Sequence, residues 1–523
     1  MTSPAARGAR VTFITPVYDP PLAALEACLD SLLAQEDPDW EHVLVDDCST
    51  QQRVRELLRR RAARDPRVRV VERETNGGIV AASQDALELA TGEFVAFLDH
   101  DDRLSPRALS VLAPVLAEPD VDYVYTDEDK VDESGRHFDT FRKPEWSPER
   151  LRHQMYTGHL SVMRTSLVRE VGGVRQGFDG SQDHDLTLRV TERARRIVHV
   201  PEVLYHWMTV EGSTAADPGA KPYAWAAGRR AVDEHLERLG IDATADLGPV
   251  PGTYWLRRAA PDVLISVVIP TRGGAGMIWG ERVVHVVEAV SSVLRTTTAR
   301  VEIVVVHDTV TPPEVLDELS DICGDALVLV PYDEPFNFSR KCNVGVTAAS
   351  GDVLVLMNDD VRLTQSGSLD QLAAAALEDG VGAVSCRLLF EDGRLQHGGH
   401  VYEHGDWHHV LLAAGPDEHG PFAALHVGRE SSGVTAALLA LRREVYLQVG
   451  GMAEGLPANF NDVDFCYKVR HVGWRILWLP EVTAYHFESQ TRDPLVHAWE
   501  INFVRGRWGV PGRDAYIPEG SHF

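Results

Sequence analysis

One succession of apolar segments and acidic turns occurs twice in this sequence. The first series begins with Val11-Thr-Phe-Ile-Thr-Pro16, and the second begins with Leu264-Ile-Ser-Val-Val-Ile-Pro270. A single constant shift, without a gap, then places the later residues on the earlier ones as the pairs Ala349 and Ala90, Gly351 and Gly92, Asn358 and Asp99, and Asp360 and Asp101. A repeat of this length indicates a tandem duplication. We therefore predict two domains of similar fold, at residues 1–255 and 256–523.

Each half alternates between strand-like and helix-like segments. Short apolar runs such as His42-Val-Leu-Val45 suit buried strands, and Leu22, Leu25, Leu29 and Leu32 recur at helical spacing. This alternation predicts an α/β fold with a mostly parallel sheet in each half. Ligands of such sheets bind beyond the carboxyl ends of the strands, where Asp46-Asp47, Asp99–Asp102 and Asn358–Asp360 fall.

Composition excludes several classes of function. The 523 residues contain 51 Lys and Arg against 78 Asp and Glu, a net charge of −27, which argues against nucleic-acid binding and against an electrostatic membrane anchor. No run approaches the ~20 apolar residues of a membrane span, so we expect at most peripheral membrane contact. The six cysteines are scattered, without a C-x-x-C pair, and indicate reduced thiols in a cytoplasmic protein. We therefore expect a cytoplasmic location, with any membrane contact at the inner face of the plasma membrane.

Asp99-x-Asp101 and Asn358-x-Asp360 end very apolar runs in corresponding positions. Alone, an acidic turn after a strand is usually a solvated loop. Its repetition favours a function, because two oxygen-bearing side chains at a strand end can hold a hard divalent cation, which can also bind a diphosphate.

Motifs along nearly the whole chain resemble those of one family. In the first half they are Phe13-Ile-Thr-Pro-Val-Tyr18, Val45-Asp-Asp47, Asn76-Gly-Gly78, Phe97-Leu-Asp-His-Asp-Asp102, Tyr125-Thr-Asp-Glu-Asp-Lys130, Lys143-Pro-Glu-Trp-Ser-Pro148, Gly180-Ser-Gln-Asp-His-Asp-Leu186 and Val203-Leu-Tyr-His-Trp207. In the second half they are Pro335-Phe-Asn-Phe-Ser339, Leu395-Gln-His-Gly-Gly399, Phe460-Asn-Asp-Val-Asp-Phe465 and Tyr485-His-Phe-Glu-Ser489. In this order, they make the chain resemble a tandem family 2 glycosyltransferase of the bacterial kind tied to O-antigen, rhamnan and other surface polysaccharides.

The resemblance implies a GT-A fold in each half and inverting transfer from a nucleoside-diphosphate sugar, with UDP- or dTDP-sugars as the expected donors. The acceptor it implies is a growing glycan or a lipid-linked saccharide. The expected cofactor is Mn²⁺ or Mg²⁺, which would neutralise the charge of the departing diphosphate.

The family's site residues can be carried over to the first half one by one. Asp47, with Asp46 beside it, would hold the nucleobase, and Asn76 and Asp99 would contact the nucleotide-sugar. Asp101 and His206 would bind the metal. Asp183 matches the general base that takes the proton of the acceptor hydroxyl.

The second half departs from the family's pattern at the position that binds the nucleobase. His307-Asp308 stands where two acids, or Asp-Asn, are expected, and we nominate Asp308. Asn358 replaces the first acid of the metal-side pair, whereas Asp360 and His486 remain as metal ligands and Asp462 as general base. Since the second half retains its general base, Asp462, we predict two working sites.

Other interpretations remain open at single residues. Asp47 could cap the following helix, His206 could be a hydrogen-bonded core histidine, and Asp183 could be an acid favoured by the N-terminus of a helix. The alternative for the whole chain is one catalytic half and a second half that binds glycan or dimerises. A sugar-nucleotidyltransferase is excluded, because it needs a Gly-rich phosphate loop after the first strand, where this chain has Pro16-Val-Tyr-Asp-Pro-Pro21.

Overall fold

The structure, a computed structural model, describes residues 10–132, 134–209, 222–487 and 495–518, and it divides into two compact units. The first unit comprises Met1–Ser147, Gln154–Leu239 and Leu247–Tyr254. The second comprises Pro148–His153, Gly240–Asp246 and Trp255–Phe523. All six cysteines are free. Among the described residues, no helix has both the length and the apolar composition that a membrane crossing requires.

The first unit is built on a nine-stranded sheet. Its strands are β1 (Val11–Val17), β2 (Trp40–Asp46), β3 (Val68–Glu72), β4 (Phe94–Phe97), β5 (Arg103–Leu104), β6 (Tyr123–Val131), β7 (His137–Phe141), β8 (Ser161–Arg164) and β9 (Ile197–Met208). They lie in the order β3-β2-β1-β4-β8-β6-β9-β5, with β7 paired to β6. The first four strands of this order are parallel, as are β6 and β9, while β8 pairs antiparallel with both its neighbours.

Helices cover this sheet, and the core lies between the two layers. They are α1 (Leu22–Leu33), α2 (Gln52–Arg64), α3 (Gly78–Leu89), α4 (Ala108–Leu116), α6 (Thr165–Glu170), α7 (Gln182–Thr191) and α8 (Pro222–Leu239), whereas α5 (Pro148–His153) belongs to the second unit. Leu25, Leu29 and Leu32 of α1 are buried in one cluster with Phe13 of β1, as their helical spacing predicts.

The second unit repeats this sheet with ten strands. Its strands are β12 (Leu264–Thr271), β15 (Arg300–Asp308), β16 (Leu327–Tyr332), β17 (Val353–Met357), β18 (Val361–Leu363), β19 (Val381–Leu389), β20 (Leu395–His397), β23 (Arg429–Glu430), β24 (Leu438–Arg442) and β25 (Arg475–His486). The order β16-β15-β12-β17-β24-β19-β25-β18 matches that of the first unit strand for strand. The prediction of two α/β domains of one fold is therefore confirmed.

Smaller elements complete the second unit. Three two-stranded sheets form from β10 (Ala243–Leu247) with β11 (Tyr254–Arg258), β13 (Ala275–Ile278) with β14 (Glu281–Val284), and β21 (His400–Glu403) with β22 (Asp406–His409). The helices are α9 (His285–Thr296), α10 (Pro313–Cys323), α11 (Phe338–Ala348), α12 (Ser368–Leu377), α13 (Arg443–Gln448), α14 (Asn461–His471) and α15 (Ala498–Trp508).

The repeated glycines Gly92 and Gly351 have a common packing reason. A Cβ atom on Gly92 would lie 2.7 Å from the backbone nitrogen of Thr12, and one on Gly351 would lie 2.5 Å from the carbonyl oxygen of Leu264. Only glycine allows the chain to approach the first strand of each sheet so closely. These positions fix where β4 and β17 begin, and therefore where the acidic turns that follow them lie.

Candidate active sites at the strand ends

Two groups of predicted residues are assigned to the ends of strands β4 and β17, each formed by a turn after the strand and a histidine from a later strand. We call Asp99, Asp101 and His206 the first strand-end site, and Asn358, Asp360 and His486 the second strand-end site. Because β4 and β17 run parallel to the first strand of their sheets, these turns lie at the same sheet edge as Asp47 and Asp308.

Asp46 and Asp47 lie buried at the end of β2. Asp47 accepts hydrogen bonds from the backbone N–H of Gly77 at 2.9 Å and of Gly78 at 2.7 Å, and it pairs with Arg73 at 2.6 Å. Thus Asp47 holds the start of α3, whereas the open alternative had it cap the following helix α2, which begins at Gln52.

Asn76 and Asp46 hold the loops around this carboxylate. The Asn76 side chain is exposed, and its Oδ1 accepts the N–H of Gly78 at 3.2 Å. Asp46 accepts the N–H of Ser49 at 3.1 Å. Asp46 and Asp47 therefore lie at the carboxyl end of β2, and Asn76 lies on the adjoining loop before α3. Asn76 is the member of the three that faces solvent.

The turn Asp99–Asp102 is tied to β9. The Tyr205 hydroxyl donates to Asp102 at 2.7 Å, and the backbone N–H of Asp99 donates to the same hydroxyl at 3.3 Å. Burial, together with the charges of Asp99 and Asp101, raises the pKa of Asp102 well above its usual range. Asp102 is thus the internal anchor of the turn, while the Asp99 side chain is 46% exposed and lies 3.9 Å from His159.

His206 joins this turn from β9, since it lies opposite Arg103 in the pairing of β9 with β5. Its Nδ1 is 2.6 Å from Oδ1 of Asp129, and the other oxygen of Asp129 is 2.8 Å from Nδ1 of His137. One nitrogen of His206 is therefore held, as a core histidine would be. The Asp129 contact also fixes the ring so that Nε2 is the nitrogen left to bind a ligand.

In the second unit, Asn358, Asp360 and His486 converge directly. Nε2 of His486 lies 3.1 Å from Oδ1 of Asp360 and 3.2 Å from the Asn358 amide, while its Nδ1 lies 2.6 Å from Oε1 of Gln396. Burial would raise the pKa of Asp360, but His486, His285 and a backbone hydrogen bond together hold it below its usual value. In the part of the chain that the structure describes, the buried Oδ1 of Asn358 has no hydrogen-bond partner.

Asp183 is the second residue of helix α7, and its Oδ1 accepts the backbone N–H of His184 at 2.8 Å. This is the helix-start role that the sequence left open. The side chain is nevertheless exposed to solvent, while surrounding protein raises its pKa by desolvation. The charges of His159 and of Asp99 in the first acidic turn also act on this carboxylate.

Asp462 repeats this arrangement at the start of α14, where its Oδ1 accepts the N–H of Val463 at 2.8 Å. The second acid of each motif has a different role. Asp185 is buried and paired with Arg175 and Arg189, and Asp464 is buried beside Arg507 and Lys468. In both motifs the second acid is an internal ion-pair partner, whereas the first acid is exposed in the first unit and half-buried in the second.

Asp308 ends β15 between two cations. Its Oδ1 is 2.5 Å from Nζ of the buried Lys341, and its Oδ2 is 3.2 Å from Nε of Arg272. Lys341 also donates to the carbonyl of Thr271 at 3.0 Å. Asp308 is thus held by two side-chain cations, Lys341 and Arg272. Asp47 is held by one cation, Arg73, and by two backbone N–H groups.

Sequence reasoning missed the residues that hold the predicted ones. Asp129 and Gln396 lie within motifs of the sequence to which it gave no role, as does Lys143, whose ammonium is fully buried. Lys143 donates to the carbonyls of Thr157 and His159, each at 2.6 Å, and so positions the loop beside Asp99. For Asp129 and Gln396, the signal available in the sequence was a polar motif residue within a buried strand.

Comparisons with protein families agree in both halves. The model described as "Glycosyl transferase family 2" matches residues 12–172, and the model described as "Glycosyltransferase like family 2" matches residues 261–509. Together these two matches cover more than half of the chain.

Similar curated proteins are longer than this chain. An uncharacterized protein of Sinorhizobium fredii, y4gI, is 41% identical over 522 residues, which span 96% of this chain and 56% of that protein. The O-antigen biosynthesis protein RfbC of Myxococcus xanthus is 35% identical over 521 residues, which span 97% of this chain and 40% of RfbC. The chain therefore spans about half the length of these relatives.

Among solved structures, residues 1–349 of S. aureus TarS in complex with UDP-GlcNAc match with a TM-score of 0.37 and 22% identity. That match covers 43% of this chain and 66% of the TarS chain.

Proposed function

Since this chain belongs to the family 2 glycosyltransferases, with two such domains in tandem, we propose that each unit transfers a sugar with inversion from a UDP- or dTDP-sugar. The acceptor is a growing surface glycan or a lipid-linked saccharide, in keeping with the O-antigen biosynthesis role named for RfbC. The observation that carries the proposal is the convergence of Asn358, Asp360 and His486 at the strand end that corresponds to Asp99, Asp101 and His206.

The second strand-end site fits a divalent cation such as Mn²⁺ or Mg²⁺. Its donors are a carboxylate, an amide oxygen and the Nε2 of an imidazole whose other nitrogen is held by Gln396. The orphaned, buried Oδ1 of Asn358 calls for a positive partner. When bound, the cation would neutralise the charge that develops on the diphosphate leaving group. By the same correspondence, Asp101 and His206 hold the cation in the first unit.

Residues on the neighbouring loops orient the donor. Asp47 and Asp308 occupy the same strand end in the two sheets, next to the diphosphate position, and so they bind the nucleobase side of the donor. Asp46 and Asn76 shape the loop on which the nucleotide lies, and Asp99 and Asn358 contact the nucleotide-sugar from the turn. Arg73 and Lys341 orient the carboxylates of Asp47 and Asp308 through ion pairs.

Asp183 and Asp462 act as general bases toward the acceptor. Each is fixed by one hydrogen bond from the next residue of its helix, which leaves its position defined while the carboxylate faces solvent or lies half-buried. A carboxylate so placed can take the proton of an acceptor hydroxyl during in-line attack on the anomeric carbon. The partners of Asp185 and Asp464 hold the two helix starts rigid.

The decisive experiment measures Mn²⁺-dependent release of nucleoside diphosphate from a panel of UDP-, dTDP- and GDP-sugars. Wild type is compared with Asp101→Ala and Asp360→Ala, and Asp262→Ala is the control because that side chain is fully exposed. We expect each site variant to abolish release from a different donor, or a distinct share of release from one donor. If Asp360→Ala changes nothing while Asp101→Ala removes all release, the second unit is a binding module and the two-site proposal fails.

A further inference from the structure

Three histidines of the second unit lie together beside the second strand-end site. His397 ends β20, His400 begins β21 and His409 ends β22, and His400 faces His409 across the β21–β22 hairpin. One nitrogen of each ring lies within 4.8 Å of one nitrogen of the other two. None of these residues has a part in the sugar transfer proposed above, although His397 is adjacent to Gln396.

The three rings are arranged as ligands of one ion would be. Each pair is nearly perpendicular, at 82° to 86°, and the ring centroids are 4.8 to 5.1 Å apart. Three imidazoles on a tetrahedral ion with Zn–N bonds of about 2.1 Å have centroids about 5 Å apart. The rings therefore have room for an ion between them with only small movements.

Two of the ring nitrogens are hydrogen-bonded to each other, and a third has no partner in the part of the chain that the structure describes. Nδ1 of His397 lies 2.9 Å from Nδ1 of His409, a hydrogen bond that a bound ion would replace. Nδ1 of His400 is buried and has no hydrogen-bond partner among the described residues. Imidazole binds a metal ion in its neutral form, and within the described ranges none of these three rings has an acidic side chain as a hydrogen-bond partner.

We propose that His397, His400 and His409 bind a Zn²⁺ ion, in a site separate from the second strand-end site. Among the described residues the ligand group consists of three imidazoles and no carboxylate, a set that suits Zn²⁺ and not Mn²⁺ or Mg²⁺, which prefer oxygen. Thr435 donates its N–H to Nε2 of His397 at 3.3 Å. Binding through Nδ1 moves the His397 proton to Nε2, so this long contact opens when the ion enters.

The site would fix a hairpin next to the proposed base. The ion joins β20 to both strands of the β21–β22 hairpin, and the charge of Asp462 acts on His400 and His409. Bound Zn²⁺ therefore stabilises the β21–β22 hairpin beside Asp462, whether or not sugar transfer takes place.

The test is Zn²⁺ binding to the 523-residue chain, after removal of metals, by competition with a chromophoric chelator. We expect one Zn²⁺ whose affinity falls about 100-fold or more in His400→Ala and in His409→Ala. His419→Ala is the matched control: His419 lies 2.8 Å from His426 in the same unit, but this pair is not part of the three-histidine cluster. Equal Zn²⁺ affinity in wild type, His400→Ala and His419→Ala would overturn the proposal.

A second readout guards against misfolded variants and against binding at the second strand-end site. Co²⁺ added to metal-free wild type should give the visible absorption of a tetrahedral ion, which Asp360→Ala should retain. Loss of this absorption in Asp360→Ala, or its absence in wild type, contradicts the proposal. Because Zn²⁺ binding is measured without donor or acceptor, its outcome is independent of the proposed transferase activity.

Discussion

Nδ1 of His206 lies 2.6 Å from a carboxylate oxygen of Asp129. The second unit has the same device with a neutral partner, since Nδ1 of His486 lies 2.6 Å from Oε1 of Gln396. In both, the acceptor holds Nδ1 and so sets the imidazole tautomer, and in the second unit Nε2 contacts the strand-end turn at Asp360. Because a carboxylate increases the basicity of the ring more than an amide does, the first site should bind its cation more tightly than the second.

Replacing Asp129 by Ala should therefore weaken the cation site of the first unit. We expect the Mn²⁺ concentration for half-maximal release of nucleoside diphosphate to rise about 10- to 100-fold for the donor that depends on Asp101. Release that depends on Asp360 should not change. A titration with Mn²⁺ at saturating donor measures both.

His137→Ala is the matched control for this change. It removes the other partner of the same carboxylate, at 2.8 Å, while leaving Asp129 on His206. The His137 side chain is 54% exposed, so its loss should shift the Mn²⁺ requirement far less. Because the His137 ring also packs edge-on against that of His206, at 4.8 Å between centroids, an equal shift in both variants would mean that the Asp129 contact is not what sets the Mn²⁺ requirement by itself.

The two acids of the Gln182-Asp-His-Asp motif should separate activity from stability. Asp183→Asn should lower kcat of the first unit by about 10²- to 10⁴-fold with little change in stability, because the side chain is exposed. Asp185→Asn should instead lower the free energy of unfolding by about 3 kcal/mol, because it leaves Arg175 and Arg189 without their buried partner. Turnover and urea unfolding of both variants check this.

Asp462→Asn and Asp464→Asn form the corresponding pair in the second unit. Asp462→Asn should lower kcat of the second unit with little change in stability, and Asp464→Asn should lower the free energy of unfolding. If Asp183→Asn and Asp462→Asn unfold at lower urea concentration but turn over normally, the first acids are helix-start residues and the general base lies elsewhere.

Much of the fold was readable from the sequence because its signals are local. The runs at Val11 and Leu264, and the glycines at 92 and 351, are set by strand burial and by the close approach of backbone to backbone. The equal strand order of the two sheets follows from the repeat itself. The antiparallel β8 and β24 were not foreseen, since periodicity predicts strands without their direction.

The supporting side chains of the sites could not be predicted, because their partners are distant in the chain. Asp129 reaches His206, and Gln396 reaches His486, only after β6 pairs with β9 and the β19–β20 hairpin forms beside β25. Likewise, the partner of Asp308 lies on α11, a helix with no marked motif at Lys341. The motifs predicted which residues form the candidate sites, while tertiary contacts decide which of their atoms face each site.

His42 should make the first unit sensitive to acid. The ring is buried on β2 with Nε2 2.9 Å from the Thr15 hydroxyl, and burial lowers its pKa to about 3. Between that value and about 6.5 the unfolded chain binds a proton that the folded unit does not, so stability falls as pH decreases, by about 1.4 kcal/mol per pH unit.

Unfolding in urea at pH 7.5 and pH 5.0 tests this dependence. The loss of stability between the two pH values should be about 2 kcal/mol smaller in His42→Gln than in wild type, because Gln does not titrate. The other histidines contribute equally to both proteins and cancel in the difference. An identical pH dependence in the two proteins would show that His42 is already neutral in the unfolded state or charged in the folded one.

Lys341 should control donor binding in the second unit alone. Its buried ammonium lies 2.5 Å from Asp308, whose other neighbouring cation, Arg272, is more than half exposed. In Lys341→Met the carboxylate loses its desolvated partner and its fixed orientation, so KM for the donor of the second unit should rise about 10-fold or more while kcat changes less. Arg272→Met removes the exposed contact and should have a smaller effect, because exposed ion pairs contribute little. If Lys341→Met instead raises KM for the donor that depends on Asp101, Asp308 does not belong to the nucleotide site of its own unit.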